Sequence, residues 1–311
     1  MRAFLVKRLL SAIFVLFSLT FVTFMVGHFA PGDPILVLMG ARQDPATYQR
    51  LRHEYGLDRP AIVQYVDYVG GLLHGNFGKS FRYEGRPVWS LIRSGVPVSF
   101  KVGGLGLLLS LTLGIPLGVL AAVKHNTVVD RVIGVATLAF YSIPAFVLIP
   151  IAWGAILRLD HAGLPAPPVA GWGSPSQWIL PVLVLAAGAT GFTTRLTRSS
   201  MLETLDEDYM RTARSKGLRR RTIIWRHAFP NALLPVITVI GPSVAFLITG
   251  AFVVENLLAI PGIGYLTVQA INERDYAVIQ GTTVLLGLAV LVMNFLTDIA
   301  YTALDPRIRL E

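Results

Sequence analysis

The sequence predicts an all-α membrane protein that crosses the bilayer six times. Three observations carry that prediction: a chain of 311 residues that is 53% hydrophobic and 14% charged, six separate apolar runs, and positive charge gathered in alternate short connections. A soluble domain averages about 25% charged residues, so most of this chain must avoid water. A net charge of +9 would point to nucleic acid in a soluble protein. Here the charge sits in short connections, as it does in membrane proteins, and no nucleic-acid partner is expected. The absence of cysteine removes disulfides, thiolate metal sites and cysteine nucleophiles, and leaves the redox compartment open.

The apolar runs lie at roughly 9–29, 100–123, 132–157, 178–197, 233–254 and 279–303. Each holds about 18 to 26 residues, enough to cross a hydrocarbon core of about 30 Å. The first follows Arg2, Lys7 and Arg8, as a signal peptide would. It is too long for one, and Gly27-His-Phe-Ala-Pro31 is a poor cleavage site, so it reads as an uncleaved membrane helix. Helix breakers occur within three runs: Gly114 and Pro116 in the second, Pro144 and Pro150 in the third, Gly241 and Pro242 in the fifth. Such kinks are buried against neighbours or line a cavity. Lys101 and Asp298 sit near span ends, where they can snorkel or pair.

Orientation follows from the short connections. The N-terminus carries Arg2, Lys7 and Arg8, connection 124–131 carries Lys124 and Arg131, connection 198–232 carries most of the remaining excess, and the tail carries Arg307 and Arg309. On the other side, 158–177 has only Arg158 and 255–278 only Arg274. Both termini are therefore expected in the cytoplasm. The longer 30–99 segment should form an ordered outer cap. Asp44-Pro45 is a helix-start pair, and Pro60 opens an apolar face made of Ile62, Tyr65, Val66, Val69, Leu72 and Leu73. In 255–278, Pro261-Gly-Ile-Gly264 signals a turn, followed by Leu266, Ala270 and Ile271 on one face.

The connection 201–230 is a charged island between apolar segments. Met201, Leu205, Tyr209 and Ala213 lie four apart and form one helical stripe. Acidic Glu203, Asp206, Glu207 and Asp208 come early, whereas basic Arg211, Arg214 and Lys216 come late. That order complements the helix dipole, and Glu207 can pair with Arg211. Gly217 can take the left-handed conformation that ends a helix, letting Leu218 fold back toward Ala213. From the residues alone, this helix–stop–helix is either a docking surface for a cytoplasmic partner or an amphipathic element on lipid headgroups anchored by Arg219, Arg220 and Arg221.

Gly78-Lys79-Ser80 looks like the end of a phosphate-binding loop, but that motif needs a glycine where Leu73 stands and a preceding strand. No metal-ligand spacing and no nucleophile–base arrangement stands out. The chain is expected to hold no cofactor and to catalyse nothing, so an energised process must draw on an ion gradient or another polypeptide.

Nearly end to end, the chain resembles the inner-membrane permease subunits of ABC importers for dipeptides and oligopeptides, specifically the B-type half of the permease pair. The motifs are Phe29-Ala-Pro-Gly-Asp-Pro34, Gly56-Leu-Asp-Arg-Pro60, Gly75-Asn-Phe-Gly-Lys-Ser80, Arg211-Thr-Ala-Arg-Ser-Lys-Gly217, Pro261-Gly-Ile-Gly264, Arg274-Asp-Tyr276 and Asp305-Pro306. The general importer loop begins Glu-Ala-Ala and ends in Gly. Here Arg211, Thr212 and Ala213 fill its first places and Gly217 its last, with Pro230 downstream. The arginine in place of glutamate is what the peptide branch looks like. The resemblance implies a type I importer permease fold: a first membrane helix at 1–29, an outer cap at 30–99, a five-helix core at 100–303 and a cytoplasmic tail at 304–311. It implies that Tyr209, Arg211, Thr212, Ala213, Lys216, Gly217 and Leu218 couple to the ATPase. It implies as partners a homologous second permease, two cytoplasmic ATPases that bind Mg-ATP, an extracytoplasmic binding protein and a peptide substrate, in a bacterial or archaeal cytoplasmic membrane. Related permeases carry glutathione, nickel chelates or oligosaccharides instead. A reading of another class is a gradient-driven transporter or channel, which would place ionisable groups near the bilayer midplane.

Overall fold

The computed structural model describes residues 2–29, 32–39, 44–83 and 85–304. Ala30, Pro31 and the tail motif Asp305-Pro306, with Arg307 and Arg309, lie outside the described residues. Among those described, the chain is helical without strands, and one isolated antiparallel bridge joins Lys79 to Pro87. It divides into two compact units, Met1–Ser99 with Pro261–Leu291, and Phe100–Ile260 with the stretch from Val292.

The first unit begins with α1 (Arg2–Phe29), most of whose apolar side chains, among them Leu9, Phe14 and Val22, are exposed as lipid-facing residues must be. Two short helices follow, α2 (Pro34–Met39) and α3 (Pro45–Glu54). The Asp44 carboxylate caps α3 as expected, accepting the Thr47 hydroxyl and the Ala46 and Thr47 N–H groups. The Thr47 hydroxyl holds that carboxyl below the usual carboxylate range. The apolar face of α4 (Ala61–Leu73) divides in two. Tyr65 packs on α1 among Phe17, Phe21 and Phe24, with ring centroids 6.2, 5.7 and 5.3 Å away, whereas Ile62, Val66 and Leu73 remain exposed.

Long helices α5 (Val88–Val123) and α13 (Tyr276–Leu304) contribute their first turns to this unit. Val88 and Ile92 of α5 join Ala270 and Val278 in a buried core. Packed with them is α12 (Ile263–Asn272), which opens at Gly262. The Ile263 N–H donates to the Ser99 hydroxyl at 2.8 Å. A side chain at Gly95 would meet the Gly262 carbonyl carbon at 3.0 Å, so glycine there lets the two backbones touch. Ile271 does not share the buried face with Ala270; it is exposed.

Two sequence motifs far apart in the chain meet in this unit. The buried Asp275 carboxylate accepts the Ser80 hydroxyl, and the Phe81 and Arg82 N–H groups at 3.2 Å each. It also caps α13 through the Val278 N–H at 3.3 Å. Arg82 pairs with Glu273 at 3.3 Å beside it. The phosphate-loop look-alike is thus a turn with Gly78 at φ +81°, and its serine is committed to a carboxylate.

The second unit is built on α8 (Ile179–Asp206). A 3-10 turn, Pro175–Trp178, leads into it, and Lys101 sits over the Trp178 ring at 3.4 Å. Gly114 and Gly118 of α5 form a small-residue seam against Thr193, Thr194 and Thr197 of α8. A Cβ at Gly118 would lie 2.5 Å from the Thr197 Cβ and 2.7 Å from the Thr194 carbonyl oxygen. This is close backbone approach through a GxxxG pattern. Gly114 therefore marks a packing seam inside an unbroken α5, not a cavity, whereas Pro116 is exposed on the same helix. On another side, Gly191 of α8 lies against α6 (Val128–Ser142), where a Cβ would sit 2.5 Å from the Thr137 carbonyl oxygen.

The third apolar run departs from the expected single span. It forms α6 and α7 (Ala145–His161), bent by 108° at Ile143-Pro144. Proline disfavours helix at the residue before it and supplies no N–H, and Ile143 accordingly is extended. Pro150, by contrast, is accommodated inside α7. The fifth run lies wholly in α11 (Phe229–Leu257), whose backbone stays helical through Gly241 and Pro242.

Candidate docking surface

At Glu207 the backbone turns extended, with ψ 148°, and ends α8. The next residue starts α9 (Asp208–Ser215). This break corrects the four-residue stripe. Met201 and Ala213 are buried as expected, but the turn rotates the register so that Met210 points inward and Tyr209 outward. Tyr209 instead receives a hydrogen bond from the Asn231 amide at 2.9 Å. Glu207, being extended, does not pair with Arg211; that arginine meets Asp208 at 3.4 Å on the exposed surface.

The end of α9 is a Schellman turn. Gly217 has φ +70°, its N–H donates to the Arg214 carbonyl at 3.0 Å, and the Leu218 N–H donates to the Ala213 carbonyl at 3.4 Å. A short helix α10 (Arg220–Thr222) then passes through a π turn, Ile223–Ala228, into α11. The π turn fits Pro230, which has no N–H to continue the α pattern.

Beneath these pieces is one core: Val119 and Ala122 of α5, Met201 of α8, Met210 and Ala213 of α9, and Ile223, Ala228 and Ala232. Burying that face anchors α9 on the ends of three long helices. Its other face presents Arg211, Thr212, Lys216, Gly217 and Leu218 to solvent. Two arginines of the basic run are structural. Arg214 donates to the Leu205 carbonyl and Arg220 to the Val123 carbonyl, both at 2.9 Å. Arg220 therefore closes the last turn of α5, so it is no mere surface charge.

The sequence reading missed one cluster beside this surface. Asp130, buried at the start of α6, accepts Arg198 Nε at 2.6 Å and Nη2 at 2.8 Å, and the Asn126 N–H at 3.0 Å. The bidentate pair ties α6 to α8. The available signal was a lone aspartate in a basic connection. Among the described residues no group of three His, Cys, Asp or Glu side chains is placed to hold a metal ion.

Known proteins match this arrangement. Residues 114–310 match the family described as "Binding-protein-dependent transport system inner membrane component", and residues 1–102 match its N-terminal region. The chain belongs to that family. It is 39% identical over 311 residues to the dipeptide transport system permease protein DppB of Bacillus subtilis (strain 168), covering 100% of this chain and 99% of the relative. It is 35% identical over 337 residues to DppB of Escherichia coli (strain K12), covering 99% of each. In fold it is similar to the MetNI methionine ABC transporter in inward-facing conformations, at TM-score 0.58 and 20% identity over 69% of this chain and 96% of the other. The permease is thus a membrane-embedded subunit of an ABC importer, and ATP hydrolysis belongs to a separate subunit. A gradient-driven transporter is set aside.

Proposed function

We propose that this permease forms half of a translocation pathway for dipeptides. Relatives that match it end to end are named as dipeptide transport permeases, which supports that substrate class. In this reading it pairs with a homologous second permease, two cytoplasmic ATPases that bind Mg-ATP, and an extracytoplasmic binding protein that delivers the peptide. Both termini are cytoplasmic, 30–99 forms the outer cap, and 304–311 is the tail. Tyr209, Arg211, Thr212, Ala213, Lys216, Gly217 and Leu218 meet the ATPase, Ala213 by seating α9 and the rest by contact or by setting the turn. The observation that carries the docking role is a helix of eight residues with one face buried on three long helices and the other face free.

Gly217→Val tests it. The turn has space for a side chain but not the backbone for one: nothing lies within 4 Å, yet φ is +70°. A β-branched residue there costs about 1–2 kcal/mol and should reorient Leu218 and α10. The complex should insert and bind its delivery protein, while ATP hydrolysis stimulated by loaded binding protein, and uptake into proteoliposomes, fall at least tenfold. Wild-type stimulation and uptake in this variant would remove the coupling role. Topology is tested separately. Reporter fusions after Gly163 and Asn272 should read outside, and those after Asn126 and Lys216 inside; reversed signals would overturn the orientation.

A further inference from the structure

We infer that Arg195, beside Tyr141 and Phe192 at the break between α6 and α7, binds the carboxylate of the peptide as it crosses the membrane; this rests on the peptide reading above.

Arg195 lies within the apolar run 178–197, and its side chain is exposed. Among the described residues its guanidinium has no hydrogen bond and no ion pair. It stands over the Tyr141 ring, 5.7 Å from the centroid. Arg198, one turn on, is the opposite case, saturated by Asp130. An arginine within a span faces a bundle interior or water and not lipid tails.

Depth can be read from the neighbours. Asp130 marks one end of the α6–α8 contact, where it meets Arg198. Tyr141 lies about 16 Å further along α6 at ~1.5 Å per residue, against Gly191 of α8, where a Cβ would sit 3.0 Å from the Tyr141 Cβ. The contact with Tyr141 carries the Arg195 head toward the N-terminus of α8, the direction in which helical side chains lean. It thus points away from the Asp130 end and into the span. Snorkelling to the nearer headgroups would need the reverse direction.

A second observation falls at the same place. The helix break at Ile143-Pro144 follows Tyr141 directly. Irregular backbone at membrane depth is tolerated where it is enclosed by protein or lines water, and discontinuous helices at the midplane are where transporters hold substrate. A cavity of about 430 Å³ lies here, lined by Tyr141, Phe192, Arg195, Leu196, Arg198 and Ser199. That volume falls within the range of small-ligand sites. The chemistry is a carboxylate site. A guanidinium offers a planar fork to a carboxylate, and the stacked rings of Tyr141 and Phe192, 6.3 Å apart, give an apolar platform for a side chain. One charged contact without a closed pocket suits a site that a substrate must leave.

The test compares Arg195→Gln and Arg195→Lys in the full complex. It reads uptake of radiolabelled dialanine into proteoliposomes alongside ATP hydrolysis stimulated by dialanine-loaded binding protein. Arg195→Gln should lower uptake at least tenfold while stimulated hydrolysis stays within twofold of wild type, and Arg195→Lys should recover part of the uptake. Three results overturn the site: wild-type uptake in Arg195→Gln, loss of uptake and stimulation together in both variants, or loss of the second permease from the purified complex, which would make Arg195 a subunit contact. A wild-type complex that hydrolyses ATP but does not import dialanine fails differently. It refutes the dipeptide reading and this inference with it.

Discussion

Gly118→Ala is expected to prevent this protein from assembling. The added methyl would sit 2.5 Å from the Thr197 Cβ and 2.7 Å from the Thr194 carbonyl oxygen. Neither neighbour is the loose end of a flexible chain, so α5 and α8 must separate. Overpacking of this kind costs about 3 kcal/mol, and here it also opens the seam that buries the Thr194 and Thr197 hydroxyls. The measurement is the yield of monodisperse complex from membranes, with its thermal midpoint. Gly104→Ala is the matched control: it lies on the same helix, with nothing within 4 Å of the added carbon, and should assemble normally. Equal yields for the two variants would show that the seam does not hold α5 to α8.

Asp275→Ala should be the most damaging change in the first unit. It strands the Ser80 hydroxyl and the Phe81 and Arg82 N–H groups, and removes the cap of α13. Stranded buried groups cost about 1–3 kcal/mol each, partly relieved by relaxation, and a lost cap about 1 kcal/mol, so a net loss of about 4 kcal/mol is expected. Hydrogen exchange should accelerate at residues 80–83 and in the first turn of α13. Asp275→Asn keeps one acceptor oxygen and should do less harm. Unchanged exchange at both places in the alanine variant would mean that the carboxylate does not hold the turn.

The features legible in the sequence are those set by local chemistry. The Asp44 cap, the left-handed Gly217 and the long apolar helices follow from residue type and spacing alone. The stretch 208–217 forms the expected helix and glycine stop, but its inward face lies one residue from the expected stripe, because a single extended residue, Glu207, resets the helical register and periodicity carries no record of it. Pro144 and Pro150 look alike as breakers, yet only the first breaks the helix; the second sits inside α7. What stayed hidden is pairing across distance. Nothing local joins Asp275 to Ser80, Arg198 to Asp130, or Arg220 to the end of α5. Gly114 reads as a kink beside Pro116 and Gly118 carries no signal of its own, since the partner threonines on α8 are what make the two glycines a seam.

The single-residue joint at Glu207 has a mechanical consequence. With only one extended residue between α8 and α9, and with Met210 and Ala213 keyed into the same core as Met201, α9 has almost no slack in which to slide by itself. In the coupling role proposed above, a push on α9 would be delivered to α8 as a tilt. A helix of 28 residues is about 42 Å long, so a tilt of about 5° about its loaded end swings the far end by about 4 Å. That is close to the width of a peptide backbone. In that role α8 would act as a lever arm whose length turns an ångström-scale shove at one end into a displacement of useful size at the other.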